Sequence, residues 1–107
     1  MSDLIPVVEA GDFETVTKTG VVLVDFFAAW CGPCRMQLPI LERIVPDFEG
    51  KVKFIKVDTD RAQNIAVQFG VQSIPTLVIL KDGSKAVQFV GVQQAEAIKA
   101  ALEKVLG

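Results

Sequence analysis

The sequence has 107 residues but no histidine, no tyrosine and only two cysteines, Cys31 and Cys34. Because a zinc ion in a protein usually takes four ligands, mostly Cys or His, this chain could form a zinc site only together with a second chain. The missing histidine and tyrosine also remove most of the usual side chains for acid–base catalysis. Carboxylates are the main class of proton acceptor that remains.

The sequence also lacks a strong net charge and a long hydrophobic run. Its 11 Lys and Arg residues and 13 Asp and Glu residues give a formal net charge of −2, so neither nucleic acid nor an anionic membrane is an expected partner. The first long apolar stretch, residues 21–29, is too short to span a bilayer and contains Asp25. Residues 1–3 have no basic region typical of a signal peptide, and we therefore expect a cytoplasmic, reducing location.

The composition is typical of a globular domain. Half of the residues are hydrophobic and 22% are charged. No internal repeat, low-complexity tract or linker interrupts the chain. A chain of this length and composition predicts one domain over residues 1–107.

Hydrophobic patterning and turn residues predict an alternation of strands and helices. We expect an α/β fold with a central mixed five-stranded sheet flanked by four helices, because strand–helix–strand units connect parallel strands and a hairpin at residues 81–84 adds antiparallel ones. The predicted strands are residues 4–8 (at an edge, since Pro6 cannot donate), 21–27, 52–57, 76–80 and 85–90. The predicted helices are residues 12–18, 33–45, a short one within 58–69, and 93–106. In the second helix the stripe expected to face the core is Met36, Ile40, Leu41, Ile44, Val45 and Phe48.

The two cysteines lie where a buried strand is followed by a helix, and three kinds of site fit them. A metal site would need ligands from another chain. A structural disulfide that closes four residues would stabilise the fold by only about 2 kcal/mol, against about 3 kcal/mol for a fifteen-residue loop. A redox pair fits best, because residues three apart at the start of a helix lie about 5–6 Å apart, within the range that a disulfide spans.

The start of the helix also assigns a role to each thiol. Unpaired N–H groups and the helix dipole lower the pKa of a thiol at a helix N-terminus. Cys31 lies at that terminus, whereas Cys34 lies one turn further and is expected to be more buried. We therefore expect Cys31 to be the attacking nucleophile and Cys34 the resolving thiol. Pro33 suits the first turn, where its missing N–H is not needed.

The segment Trp30-Cys31-Gly32-Pro33-Cys34 resembles the active-site motif of thioredoxins. The similarity runs through the chain, at Val24-Asp25-Phe26, Pro39, Val57-Asp58, Gly70-Val71, Ile74-Pro75-Thr76 and Gly91. It implies a thioredoxin fold and a monomeric protein-disulfide reductase that needs no cofactor and serves as a general cytosolic electron donor. It also implies diverse disulfide-containing protein substrates and recycling by a thioredoxin reductase, either flavin-containing with NADPH or ferredoxin-linked.

Asp25 lies in an apolar strand, where burial would raise its pKa. Local backbone groups could satisfy it, or it could accept a proton from Cys34, and the resemblance favours the second role. The Ile74-Pro75 bond would be trans by default, but the resemblance implies a cis bond beside the cysteines. The substrate-binding surface that it implies around Cys31 consists of Trp30, Gly32, Pro33, Val71, Ile74, Pro75 and Gly91.

Several residues depart from the family pattern, including Leu38 and Pro46 in the second helix and the turn after it. Phe27 replaces a second tryptophan that many members have. Phe54 stands where some members have a lysine paired with the buried aspartate, and we expect Lys56 to point to the other face of its strand, which would leave Asp25 without a cationic neighbour. Two other functions remain open, a binding module without turnover and an oxidant or isomerase. The Gly-Pro pair between the cysteines is evidence against the oxidant.

Overall fold

Four strands form the sheet in this computed structural model, which describes residues 4–107. The strands are β1 (Val21–Phe27), β2 (Val52–Asp58), β3 (Thr76–Lys81) and β4 (Ser84–Val90), in the spatial order β2-β1-β3-β4. β1 pairs parallel with β2 and antiparallel with β3, and β3 pairs antiparallel with β4. The two central strands are buried on both faces, which explains their nearly continuous apolar sequences.

In the described part of the chain, four α-helices cover the sheet, as predicted. They are α1 (Ala10–Thr17), α2 (Gly32–Ile44), α3 (Gln63–Gln68) and α4 (Ala95–Leu106), and a 3₁₀ turn at Val45–Phe48 follows α2. Within residues 4–107, no helix is both long enough and apolar enough to cross a membrane.

The predicted fifth strand, over residues 4–8, is wrong. In this segment, Val7 forms one isolated parallel bridge to Lys56 at the outer edge of β2. The Val8 N–H donates to the Lys56 carbonyl, and the Lys56 N–H donates to the Pro6 carbonyl, each at 2.9 Å. A longer ladder would need a further N–H donor, and Pro6 has none. The edge position was predicted correctly, but the pairing is too short to make a strand.

Side chains alternate across β1 and divide the core into two layers. Val21 and Leu23 pack with Leu41 of α2 and Ile98 of α4 on one face of the sheet. The other face holds a second apolar layer, against α1 and α3, that includes Phe13, Val22, Val24, Phe26 and Ile65. Asp25 continues the series of Val21 and Leu23, so its carboxylate lies on the face that α2 covers.

The inward stripe of α2 differs from the prediction at two positions. Met36 was expected to face the core, but it is exposed, whereas Gln37 is fully buried. The buried positions of this helix are Cys34, Gln37, Leu41 and Ile44. Their spacing of three and four residues sets the inward face, and Met36, two residues after Cys34, projects from the opposite side.

A two-residue turn joins β3 to β4. Asp82 has φ 49° and Gly83 has φ 85°, the positive pair typical of a type I′ hairpin. The prediction that Gly83 adopts a positive φ is therefore confirmed. Two hydrogen bonds tie the turn to the residue before β1: the Gly20 N–H donates to Asp82 Oδ1 at 2.8 Å, and the Asp82 N–H donates to the Gly20 carbonyl at 2.9 Å.

Replacing Asp82 by alanine removes the carboxylate that accepts from Gly20 and places a residue poorly suited to positive φ in the turn. We expect Asp82→Ala to lower the free energy of unfolding by about 1–2 kcal/mol, measured by urea denaturation. Asp82→Asn is the matched control, because asparagine tolerates this φ and its side-chain oxygen still accepts a hydrogen bond. Equal losses in both variants would contradict this account.

Candidate active site

The two cysteines lie at the junction between β1 and α2. They form a disulfide with their Cα atoms 5.3 Å apart, which agrees with the spacing expected for residues three apart at the start of a helix. Cys31 is the N-cap of α2, and its Sγ accepts a hydrogen bond from the Cys34 N–H at 3.2 Å. Once the disulfide is reduced, this N–H and the helix dipole would both favour a thiolate at Cys31.

The expectation that Cys34 is the more buried of the two cysteines is wrong. Cys31 is 3% exposed and Cys34 is 5% exposed. Because the bond holds both sulfur atoms in one small apolar cluster with Ala28, Phe27 and Ile74, exposure does not distinguish them. The distinction between attacker and resolver therefore rests on their positions in the helix.

The loop before β3 passes directly beside the disulfide. The Ile74-Pro75 peptide bond is cis, as the resemblance implies. The Ile74 carbonyl oxygen lies 3.8 Å from Cys31 Sγ, and the Gly91 N–H donates to the Pro75 carbonyl at 2.8 Å. These contacts bring Cys31, Ile74, Pro75 and Gly91 together at one end of the sheet.

The other residues of the expected substrate-binding surface are placed differently. Gly32 and Pro33 are exposed in the first turn of α2. Trp30 is 68% exposed, and its indole N–H donates to Asp60 Oδ2 at 2.9 Å. Val71 packs with Ile74 against the layer under α1 and α3.

Asp25 is buried beneath the start of α2. It lines a cleft of about 650 Å³ together with Cys34, and its Oδ1 has no hydrogen-bond partner among residues 4–107. Burial raises the pKa of Asp25 from 3.8 to about 7, against the opposing effect of the Lys56 charge. A carboxyl group with this pKa can take up and release a proton near neutral pH.

The expectation for Lys56 is wrong. Lys56 is the register partner of Asp25 on β2, and both residues line the same cleft. Residues two apart on a strand share a face, so Phe54 and Lys56 point to the same side. Phe54 packs in the core opposite Leu23. Lys56 supplies the positive charge near Asp25 that the sequence did not lead us to expect.

Two residues near the site, Asp60 and Gln37, were not predicted from the sequence, and Lys56 was predicted on the wrong face of its strand. A correct register for β1 and β2 would have placed Lys56 opposite Asp25. The position of Gln37 could have indicated its burial, since it is a polar residue about one helical turn after Cys34, on the inward side. Nothing in the sequence pointed to the bond between Asp60 and Trp30.

The site and fold define a thiol–disulfide oxidoreductase. A dithiol that can close to a disulfide caps a helix, a buried carboxyl group lies beneath it, and an extended loop passes beside it. Within the part of the chain that the structure describes, no group of three or more His, Cys, Asp or Glu side chains could hold a metal ion.

Comparison with known proteins gives the family. The thioredoxin family model matches residues 5–104. The thioredoxins of Staphylococcus aureus strains Mu50 and MW2 are 44% identical to this chain over 95 residues, which cover 89% of this chain and 91% of the relative. The crystal structure of the Malassezia sympodialis thioredoxin (Mala s 13) superposes with a TM-score of 0.87 and 36% identity, over 96% of this chain and 91% of that one. The chain belongs to the thioredoxin family.

The raised pKa of Asp25 predicts how stability depends on pH. The folded carboxyl keeps its proton up to about pH 7, whereas the unfolded one loses it near 3.8, so rising pH in this window favours unfolding. We expect oxidised Asp25→Asn to be more stable than the parent protein, with a difference that grows from pH 4 to pH 8 toward about 4 kcal/mol.

Urea denaturation at a series of pH values measures this difference. Glu103→Gln, which removes an exposed carboxyl group on α4, is the matched control. A difference between Asp25→Asn and the parent that stays constant over the whole pH range would contradict the assignment.

Proposed function

We propose that the protein is a protein-disulfide reductase in which Cys31 is the nucleophile and Cys34 the resolving thiol. The observation that carries this proposal is the disulfide at the N-terminus of α2, with the Cys34 N–H donated to Cys31 Sγ. The same N–H would stabilise a Cys31 thiolate after reduction. Cys34 lies inside the first turn, and none of the hydrogen bonds found among residues 4–107 is donated to its sulfur.

The first step is attack on the substrate. The Cys31 thiolate attacks one sulfur of a substrate disulfide, a bond forms between that sulfur and Cys31 Sγ, and the other substrate sulfur leaves as a thiolate. The product is a mixed disulfide, and the leaving thiolate takes up a proton. The Ile74 carbonyl, 3.8 Å from Cys31 Sγ, lies where an extended substrate segment would pair with the protein backbone.

The second step releases the substrate. Cys34 loses its proton and attacks Cys31 Sγ, so the intramolecular disulfide forms and the second substrate sulfur leaves as a thiolate. Two electrons have then passed from the protein dithiol to the substrate. We assign the proton of Cys34 to Asp25, directly or through water, because the two residues line one cleft and the pKa of Asp25 is raised to about 7.

The proposed substrate-binding surface surrounds Cys31. Its members are Trp30, Gly32, Pro33, Val71, Ile74, Pro75 and Gly91, and their mainly apolar or backbone character suits flexible segments of many sequences. We further propose that the protein works as a monomer and a single domain in the cytoplasm, and without a bound cofactor. In this role a thioredoxin reductase returns it to the dithiol form, and diverse disulfide-containing proteins accept its electrons.

Serine variants of the two cysteines test the roles of the thiols. Cys31→Ser lacks the nucleophile, so we expect its reduction of insulin disulfides to fall to the uncatalysed background. Cys34→Ser keeps the nucleophile but cannot resolve the mixed disulfide, so adducts that dithiothreitol releases should accumulate in mass spectra. Full activity of Cys31→Ser would overturn the proposal, and a double serine variant that keeps the cellular role would point to a binding module instead.

Asp25→Asn tests the proposed proton acceptor. General base catalysis typically contributes roughly 10²–10⁴-fold, and since water can replace part of this effect, we expect release of product at pH 7 to slow at least about tenfold. Stopped-flow measurement of mixed-disulfide decay from pH 5 to pH 9 separates this step from the first attack. A rate and pH profile equal to those of the parent would remove Asp25 from the mechanism.

A further inference from the structure

Gln37 is a fully buried polar side chain that the proposed chemistry does not use. It lies on α2, one turn after Cys34, and its exposed fraction is 0%. Burying an amide group is costly unless its polar atoms find partners. At a position that faces the apolar layer under α2, a leucine or methionine would fill similar space without that cost. A glutamine at this position is therefore expected to make hydrogen bonds that offset the cost of its burial.

Both ends of the Gln37 amide bind the backbone of one residue. Its Nε2 donates to the Gln93 carbonyl at 3.0 Å, and its Oε1 accepts from the Gln93 N–H at 2.7 Å. Two bonds to the same residue fix the orientation of that backbone as well as its distance from α2. Gln93 lies in the short connection between β4 and α4, which also contains Gly91.

The side chain of Gln93 extends this contact toward the active site. Its Nε2 donates to the carbonyl of Val90 at 3.3 Å and to that of Gly91 at 3.2 Å. The Gly91 N–H in turn donates to the Pro75 carbonyl, next to the loop that passes beside Cys31. Hydrogen bonds thus lead from α2 through Gln93 and Gly91 to Pro75.

We propose that Gln37 is a positioning residue that holds the connection between β4 and α4, residues 91–94 (the Gly91 loop), against α2. It thereby raises the affinity for protein disulfides presented on extended segments. This inference rests on the proposed reductase function. Both hydrogen bonds of the Gln37 side chain go to Gln93 rather than to a cysteine, so Gln37 acts through the connection that contains Gln93. A loop fixed before binding loses less conformational freedom when a polypeptide docks on it. A small disulfide that needs only Cys31 gains nothing from the loop.

Gln37→Leu keeps the packing volume and removes both bonds to Gln93. We expect its KM for insulin to rise about three- to tenfold. Its kcat for insulin should stay within about twofold of the parent value, and so should its rate of reduction of dithiobis(nitrobenzoate), a small aromatic disulfide. Amide hydrogen exchange at Gly91 and Gln93 should become faster, because the loop loses its link to α2. Gln94→Leu is the matched control, since Gln94 is an exposed glutamine of the same connection whose side chain makes no capping bond to α4.

A second variant keeps the proposal testable if Gln37→Leu does not fold. Gln93→Ala leaves the core unchanged and removes only the bonds to the Val90 and Gly91 carbonyls, so a smaller rise in the KM for insulin is expected. The proposal would be overturned if the folded variants kept the parent's KM for insulin and its rate of amide hydrogen exchange at Gly91 and Gln93. It would also be overturned if the reduction of insulin and that of the small disulfide slowed equally. A parent protein that reduces neither substrate would instead refute the reductase function itself.

Discussion

The active site depends on the burial of β1 between two neighbouring strands and two layers of helices. Because β1 is hydrogen-bonded along both edges, its end is a rigid point from which the chain enters α2. The Cys31–Cys34 pair follows that end within a few residues, and Asp25 lies on the strand itself. The positions of the sulfur atoms and the carboxyl group relative to each other are therefore set by a strand that is buried on both faces. The loops that contact them are held by hydrogen bonds to this frame.

Burial and charge act in opposite directions on Asp25. Removal from water disfavours the carboxylate, while Lys56 favours it, and burial is the larger effect. The balance leaves the pKa of Asp25 near neutrality. A closer ion pair with Lys56 would keep the group ionised, and a site without Lys56 would keep it protonated over a wider pH range. Asp25 Oδ1 has no hydrogen-bond partner in the described residues 4–107, as expected for a group whose proton must be free to leave.

The parts of the structure that follow from local rules could be predicted from the sequence. The cysteine pair at a helix start, the positive φ of Gly83 and the two-sided burial of β1 each depend on a few neighbouring residues. The parts that depend on register or on distant partners could not. Lys56 meets Asp25 only because β1 and β2 pair in one particular alignment, and the burial of Gln37 makes sense only with the backbone of Gln93, 56 positions away. Residues 4–8 had the pattern of a strand, but the missing N–H of Pro6 limited their pairing to one bridge.

That short bridge has a consequence for the outer edge of the sheet. An uncovered edge strand offers its N–H and carbonyl groups to any other extended chain, which is a route to aggregation. Around Lys56 the segment at residues 6–8 already occupies these groups on β2. The segment is itself a poor template for further pairing, because Pro6 cannot donate a hydrogen bond and only a single bridge is formed. The outer edge of β2 thus has a barrier, around Lys56, against pairing with extended segments of other proteins.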